Sequence, residues 1–182
     1  IKEEFARILK DFKPDVVHLH NIHSYLSPIV AKKAKEFGAK VVWTLHDCWP
    51  FTGHCAYYTY VQCAKWKEEC HHCPQIKSYP ASFVCDNSQF NFNDKRKYFT
   101  KLKNLTLIPV SKWLKEEVQH SFLKDYPIHV INNGIDITTF HPLKSQKLKW
   151  GLTEKFTILG VASNWEERKG LGTFINLAKE LQ

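Results

Sequence analysis

The chain has 182 residues, of which 43% are hydrophobic and 24% charged, a composition typical of a globular protein and too apolar for a disordered one. It contains no apolar run of about eighteen residues and no charged-then-apolar leader, so we expect no membrane span or secretory signal and predict a cytoplasmic location. The net charge of +8 favours an anionic partner, such as a nucleotide diphosphate, an anionic membrane surface or a nucleic acid.

Helix and strand patterns alternate in the first quarter of the chain. Apolar residues at helical spacing predict a helix over residues 1–12, and the run at 15–20 predicts a buried strand. A second helix follows, which Ser24 caps and Gly38 closes, and residues 40–45 form the next strand. Strand, helix and strand at this spacing predict a βαβ unit with parallel strands.

The same alternation resumes further along the chain. The predicted elements are a charged helix at 94–102, a strand at 105–110, a helix at 112–122 capped by Ser111, a short strand at 128–131 and a turn at 132–134 whose residues tolerate positive φ. These elements predict an α/β fold, a Rossmann-like parallel sheet with flanking helices, interrupted by a long cysteine-rich insertion.

A change in composition predicts two domains of unequal size. Apolar periodicity fades in residues 141–154, which we interpret as a linker after a first domain at 1–140. Residues 155–182 then supply only a strand at 156–162 and a helix at 171–181, too little for a core. The sequence also lacks methionine. We therefore expect an internal fragment whose last segment docks on a second copy and forms a dimer.

The insertion, residues 46–87, carries four cysteines in the spacing C-x7-C-x6-C-x2-C: Cys55, Cys63, Cys70 and Cys73. Thiolates in such a set can complete a tetrahedral zinc site with bonds of about 2.3 Å. A structural zinc is therefore the prediction, with free buried thiols and disulfides as the alternatives. Cys48 and Cys85 lie outside the spacing and are interpreted as packing residues. A second hypothesis for the whole chain is a zinc-stapled basic module that binds nucleic acid.

Polar residues follow two neighbouring predicted strands. His46 comes directly after the strand at 40–45, and His20, Asn21 and His23 follow the strand at 15–20. Ligands of open α/β sheets bind at the carboxyl ends of the strands, so these residues are candidates for a binding site. The alternative is that the histidines are structural or simply solvated.

Five motifs, taken in order, resemble the family 4 glycosyltransferases: DVVHLHN at 15–21, HDCWPFTGHC at 46–55, PVSKWL at 109–114, VINNGID at 130–136 and ERKG at 167–170. The resemblance implies a retaining enzyme with the GT-B fold, in which two Rossmann-like domains face each other. It implies a nucleotide-diphosphate sugar as donor and a saccharide or lipid-linked acceptor. The cysteine loop resembles a subgroup associated with bacterial capsule and exopolysaccharide synthesis.

The resemblance also implies roles for the two parts of the chain. Residues 1–140 correspond to the later half of an acceptor-binding domain, and residues 155–182 to the first βα unit of a donor-binding domain. The family's two donor-contacting glutamates should lie beyond Gln182. We therefore expect the fragment alone to be inactive.

Individual residues take their predicted roles from the same resemblance. His46 matches a catalytic-site histidine near the donor sugar, where it need not act as a base because the donor phosphate helps to take the acceptor proton in this fold. The acceptor site would be lined by His20, Asn21, His23 and Trp49, of which Trp49 stacks on a sugar ring or packs the cysteine loop. The donor site would include Arg168, Lys169, Gly170, Asn133 and Gly134, the last two of which otherwise only shape a turn.

Overall fold

The computed structural model describes residues 2–23, 26–143, 147–154 and 156–181. The chain forms two compact units, Ile1–Asn133 and Gly134–Gln182. The first unit contains the sheet and the cysteine loop, and the second contains the carboxyl-terminal helix.

A three-stranded parallel sheet lies at the centre of the first unit. Its strands are β1 (Val16–Leu19), β2 (Lys40–Leu45) and β3 (Leu105–Pro109), in the order β1-β2-β3. The predicted short strand at 128–131 extends this parallel pairing beside β3 only as a bridge from Ile128 to Leu107. Pro109 on β3 has no N–H to donate to the carbonyl of His129, which interrupts the ladder, although the N–H of Ile131 bonds to the carbonyl of Pro109. The predicted α/β class and the parallel sheet are confirmed.

Four helices pack around the sheet: α1 (Lys2–Phe12), α2 (Ile29–Glu36), α3 (Ser88–Phe99) and α4 (Lys112–Gln119). Two predicted helix boundaries are confirmed. The Ser111 hydroxyl accepts a bond of 3.1 Å from the N–H of Leu114, and Gly38 adopts a φ of +87° after α2. Ser24, the predicted cap of α2, lies outside the described residues.

Helix α3 differs from the prediction because it begins at Ser88 rather than Asp94. Its first turns bury Phe92, which is 1% exposed. Residues 88–93, SQFNFN, include two asparagines, which have low helix propensity, so the sequence pattern placed the helix start too late.

Aromatic packing fixes the sheet against α3. Trp43 on β2 and Phe99 on α3 are almost fully buried, with ring centroids 4.7 Å apart in an edge-to-face arrangement. Burying one large apolar side chain contributes on the order of 1.5–3 kcal/mol. The Trp43 indole also donates a bond of 2.9 Å to the carbonyl of His20. The core therefore positions the end of β1 directly.

The cysteine loop, residues 46–87, contains neither an α-helix nor a β-strand. It includes three short 3₁₀-helical turns, Trp49–Phe51, Tyr58–Val61 and Lys65–Lys67. The Trp66 ring lies 5.1 Å from the ring of Phe51 and 4.9 Å from that of Tyr58. This aromatic cluster gives the loop a small core of its own, which orders it without regular secondary structure.

The second unit contains two 3₁₀-helical turns, Leu148–Trp150 and Glu167–Lys169, and helix α5 (Leu171–Glu180). The prediction of a strand at 156–162 is wrong, because these residues form no regular structure. Phe156 and Val161 are 92% and 85% exposed. A strand needs a hydrogen-bonded neighbour, and none pairs with this segment among the residues described. Dimer formation through the segment stays a prediction.

Candidate active site

Two predicted site histidines meet at the edge of the sheet where β1 and β2 end. The Nδ1 atom of His20 lies 3.1 Å from Nε2 of His46, and the two rings are stacked with centroids 5.4 Å apart. Both side chains are exposed. In a hydrogen bond between the two rings, one nitrogen donates and the other accepts. The second nitrogen of each neutral ring then has the opposite role, so the pair offers solvent one donor and one acceptor.

A third histidine supports this pair from within β1. His18 Nε2 lies 2.8 Å from the hydroxyl of Thr44, and its ring centroid is 4.3 Å from that of His20. Burial lowers the pKa of His18, and the charge of His20 lowers it further. Both effects favour the neutral imidazole of His18.

His23 lies in a packed pocket beside the edge and is only 3% exposed. Its Nε2 atom is 2.5 Å from the hydroxyl of Tyr79, and its ring lies 5.4 Å from that of Trp49. The structure thus brings His23 and Trp49 together, as a shared site requires. Asn21, two residues before His23 in the chain, is exposed. Tyr79 was missed because it lies in an irregular segment with no periodic signal.

Asp47 anchors the turn that follows His46. Its carboxylate accepts a bond of 2.9 Å from the N–H of Trp49. Burial raises the pKa of Asp47, although its bond to Trp49 and the charges of His23 and Lys95 act in the opposite direction. The turn is therefore held from inside the protein while His46 remains exposed.

Lys95 on α3 is the second group that holds this turn, and it is 2% exposed. Its ammonium donates bonds of 2.7 Å to the carbonyl of Trp49 and 2.8 Å to that of Thr52, and it lies 3.4 Å from the centroid of the Trp49 ring. Burial drives the pKa of Lys95 well below its usual value. Sequence reasoning missed this residue because it sits in a run of charges typical of a solvated helix face.

The four predicted metal ligands line one small cavity under the turn, together with His54, Trp66 and other loop residues. All six cysteines are free thiols. A hydrogen bond from the Cys55 thiol to Cys73 lowers the pKa of Cys73 to about 7 and raises the pKa of Cys55. Burial raises the pKa of Cys70 to about 11.

The geometry does not support the predicted zinc site as it stands. No group of three or more histidine, cysteine, aspartate or glutamate side chains in the described ranges is arranged to hold a metal ion. Outside the spacing, Cys48 is buried in the core, as predicted, whereas Cys85 is exposed and does not pack. The spacing thus correctly predicted which four cysteines lie near one another, but the described residues do not form a closed metal-coordination shell.

Comparison with known proteins decides the family. The sequence profile of Glycosyltransferase Family 4 matches residues 2–139. The chain belongs to this family. It is also 33% identical over 147 residues to an Escherichia coli (strain K12) protein, WcaC, named as a candidate colanic acid biosynthesis glycosyl transferase. That match covers 75% of this chain and 35% of the relative, so the chain spans about a third of the relative's length.

No solved structure matches this family 4 chain. Within the described residues, no helix has the length and apolar character needed to cross a bilayer.

Three of the predicted donor-site residues of this family 4 chain, Arg168, Lys169 and Gly170, lie at the start of α5. Arg168 forms an ion pair of 2.9 Å with Glu166, and Lys169 ends the 3₁₀-helical turn. Gly170 adopts a φ of +77° immediately before the helix, which a residue with a Cβ atom adopts only with strain. The predicted arrangement of two basic residues before a helix start is present.

The turn predicted at 132–134 is not formed. Neither Asn133 nor Gly134 has a positive φ, and both residues are exposed in a segment without regular structure. Asn132 instead donates a bond of 3.0 Å from its side-chain amide to the carbonyl of Val110, which holds the chain extended alongside the end of β3. The donor-binding role of Asn133 and Gly134 stays a prediction.

Gly53 is the position in the cysteine loop where a side chain is least tolerable. A Cβ atom there would lie 2.2 Å from the carbonyl oxygen of Ser88 and 2.6 Å from Cβ of Cys70. We expect Gly53→Ala to lower the free energy of unfolding by about 1–3 kcal/mol, the usual cost of overpacking. Thermal unfolding of the variant measures this. Gly172→Ala, at an open position in α5, is the control and should cause no loss.

Proposed function

We propose that the protein carrying this chain is a retaining glycosyltransferase of hexosyltransferase type, which transfers a sugar from a nucleotide-diphosphate sugar to a saccharide or lipid-linked acceptor. Membership of Glycosyltransferase Family 4 supports the class of reaction. The similarity to a relative named for colanic acid biosynthesis supports surface polysaccharide synthesis as the setting. The observation that carries the proposal is the His20–His46 pair at the carboxyl edge of a parallel sheet.

The acceptor-binding part of the proposal uses the residues around this pair. Imidazole nitrogens of His20 and His46 can exchange hydrogen bonds with sugar hydroxyls, which are both donors and acceptors. Trp49 is half-buried, so part of its ring remains available to a sugar face, and His23 with Tyr79 supports that ring from the side. Asn21 can add an amide contact from the exposed loop.

In this proposal His46 orients the reacting sugar and does not remove a proton. A buried carboxylate lies next to it in sequence, but Asp47 is already engaged by the N–H of Trp49. Holding reacting groups in the correct position is by itself a large part of enzymatic rate enhancement. The donor phosphate takes the proton of the acceptor hydroxyl, and the product retains the configuration of the donor.

The donor-binding part of the proposal rests on the basic turn before α5. Arg168 and Lys169 offset the charge that develops on the departing nucleotide diphosphate, and the backbone at Gly170 leads into a helix N-terminus, where anions are favoured. Asn133 and Gly134 are included as further donor contacts.

A transfer assay tests this function. The full-length protein is incubated with a panel of UDP- and GDP-hexoses and membranes containing lipid-linked saccharides, and nucleotide diphosphate release and labelled product are measured. We expect one donor to support transfer, with the donor's anomeric configuration kept in the product. A product of inverted configuration would contradict retention, and no transfer from any nucleotide sugar would contradict the proposed reaction.

We further propose that Cys55, Cys63, Cys70 and Cys73 bind one structural zinc ion. The four side chains line one small cavity, which has room for a single small occupant. To bind the ion, the four thiol side chains must change rotamer, and the Cys55–Cys73 hydrogen bond must break. In the resulting tetrahedral site, zinc–sulfur bonds of about 2.3 Å place the sulfur atoms roughly 3.8 Å apart.

One buried donor in the cavity supports an anionic sulfur cluster. Trp66 Nε1 has no hydrogen-bond partner among the described residues, and the Trp66 side chain lines the same cavity as the cysteines. An unpaired buried N–H group costs about 1–3 kcal/mol. Thiolates bound to a cation would accept a hydrogen bond from the indole, whereas neutral thiols are weak acceptors.

The zinc proposal is tested by elemental analysis of the purified chain. We expect one zinc per chain, and we expect Cys70→Ser to lose the metal and to unfold at a lower temperature, because a structural zinc contributes folding free energy. Cys85→Ser, at an exposed cysteine outside the spacing, is the matched control and should keep both. A metal-free chain that is as stable as the untreated protein, or a disulfide between any two of the four cysteines, would contradict the proposal.

A further inference from the structure

We propose that the acceptor is a saccharide of at least two units, because Tyr79 and Trp49 form a second sugar-binding subsite. The first subsite is the strand-end site, formed by His20 and His46. This inference rests on the sugar transfer proposed above and adds the class of acceptor to it. The observations that carry it are the contacts of two aromatic side chains from the cysteine loop with one buried histidine.

The two aromatic side chains contact the same imidazole. The ring centroid of His23 lies 5.4 Å from that of Trp49 and 5.4 Å from that of Tyr79, so the two aromatic rings are at most twice this distance apart. Nε2 of His23 also lies 2.5 Å from the Tyr79 hydroxyl. His23 is only 3% exposed, whereas Tyr79 is 53% exposed and Trp49 is half-buried. The histidine is therefore the support, and the two larger rings provide the accessible surface.

This aromatic pair continues the strand-end site along the same two chain segments. His20 and His23 both follow β1, and the segment after β2 contributes His46 and Trp49. The contact between the two strand-end histidines recurs three residues later on both segments, as the contact of His23 with Trp49. Three residues span at most about 11 Å. A ligand of two sugar units can therefore reach both places at once.

The residue types at the two places suit a saccharide. A sugar ring carries hydroxyl groups at its edge and C–H groups on its faces, so it bonds to polar groups edge-on and packs its faces on aromatic rings. The histidine pair supplies polar contacts, and Trp49 and Tyr79 supply apolar area. A surface that combines aromatic side chains with a few polar groups is usual for small-molecule ligands.

Both rings are held in place by bonds at other atoms. The N–H of Trp49 donates a bond of 2.9 Å to Asp47, and its carbonyl accepts a bond of 2.7 Å from the buried ammonium of Lys95. The Tyr79 side chain is fixed at its hydroxyl end by the bond to His23. A ligand that packs on side chains already fixed in position does not lose binding free energy by ordering them. The pair is therefore preorganised for binding.

The test uses the full-length enzyme with lipid-linked acceptors that carry either one or two sugar units. The value of kcat/KM for each acceptor is compared among the unaltered enzyme, Tyr79→Ala and the control Tyr60→Ala. Tyr60 belongs to the same loop and is 48% exposed. We expect Tyr79→Ala to lower kcat/KM for the two-unit acceptor about 3- to 10-fold, the scale of one aromatic contact, mainly through a higher KM. The one-unit acceptor and the KM of the donor should be unchanged, and Tyr60→Ala should match the unaltered enzyme.

The ratio of the two acceptors separates a ligand contact from a structural role, because a misfolded fraction lowers transfer to both acceptors equally. Tyr79→Phe is a second variant that keeps the ring and removes only the hydroxyl, so its loss should be smaller than that of Tyr79→Ala. Equal kcat/KM for one-unit and two-unit acceptors in the unaltered enzyme, or an unchanged ratio in Tyr79→Ala, would overturn the second subsite and leave the transfer reaction standing. Absence of transfer from every nucleotide sugar would instead overturn the proposed function, and the subsite with it.

Discussion

Replacing Lys169 by alanine in the full-length enzyme should lower the rate of sugar transfer by about a hundredfold to a thousandfold, equivalent to roughly 2.7–4 kcal/mol of transition-state stabilisation. Negative charge grows on the departing nucleotide diphosphate as the glycosidic bond breaks. A cation placed beside it therefore stabilises the transition state more than the bound donor. We expect the loss chiefly in the rate constant and only weakly in the donor concentration required for half-maximal rate.

Lys169 and its basic neighbour Arg168 differ in their ion pairing. Arg168 is paired with Glu166 at 2.9 Å, whereas no ion pair involves Lys169 within the described residues. The Lys169 ammonium can therefore contact the donor without breaking an ion pair seen in the described residues. A fixed salt bridge would need to break, or to act together with its glutamate, before Arg168 could serve the donor.

Lys179→Ala is the matched control for this prediction. Lys179 lies in the last turn of the same helix, α5, so its removal changes the net charge of the unit equally. Steady-state transfer is measured for both variants over a range of donor concentrations. Equal rates for Lys169→Ala and Lys179→Ala would show that the basic turn is not part of the donor site.

Much of the sheet was predictable because each strand is indicated by a short run of neighbouring apolar residues. The strands at 16–19, 40–45 and 105–109 are short apolar runs between helix patterns, and parallel pairing follows from that alternation. Parallel strands align their carboxyl ends, so the proximity of His20 and His46 follows from topology without knowledge of any side-chain angle.

The segment at 156–162 shows the limit of that reasoning. Its apolar run satisfies the pattern of a buried strand, but a strand is stabilised by its neighbours as well as by its own residues. The helix α5 packs on it only locally, where the ring of Phe174 lies so close to Gly160 that an added Cβ would be 2.7 Å away. Composition alone does not reveal whether a partner strand is available.

Lys95 and Tyr79 were not predictable for a different reason. Lysine is usually exposed and tyrosine is intermediate, and each of the two residues acquires its role from a contact across a large sequence separation, with Trp49 and His23 respectively. Spacing identified the four cysteines correctly as neighbours, since short loops bring close residues together. Spacing does not determine the direction of each thiol.

The most direct test of the strand-end site is transfer by the full-length enzyme carrying His46→Ala. The side chain is exposed and its observed side-chain bond is to His20, so the change should leave folding nearly unaffected. We predict a rate about a hundredfold lower, the scale expected when a reacting group loses its positioning. His120→Ala, at an exposed histidine after α4, is the control and should retain full activity. Equal transfer by the two variants, with both folded as judged by thermal unfolding, would contradict the claim that the ends of β1 and β2 form the reacting site.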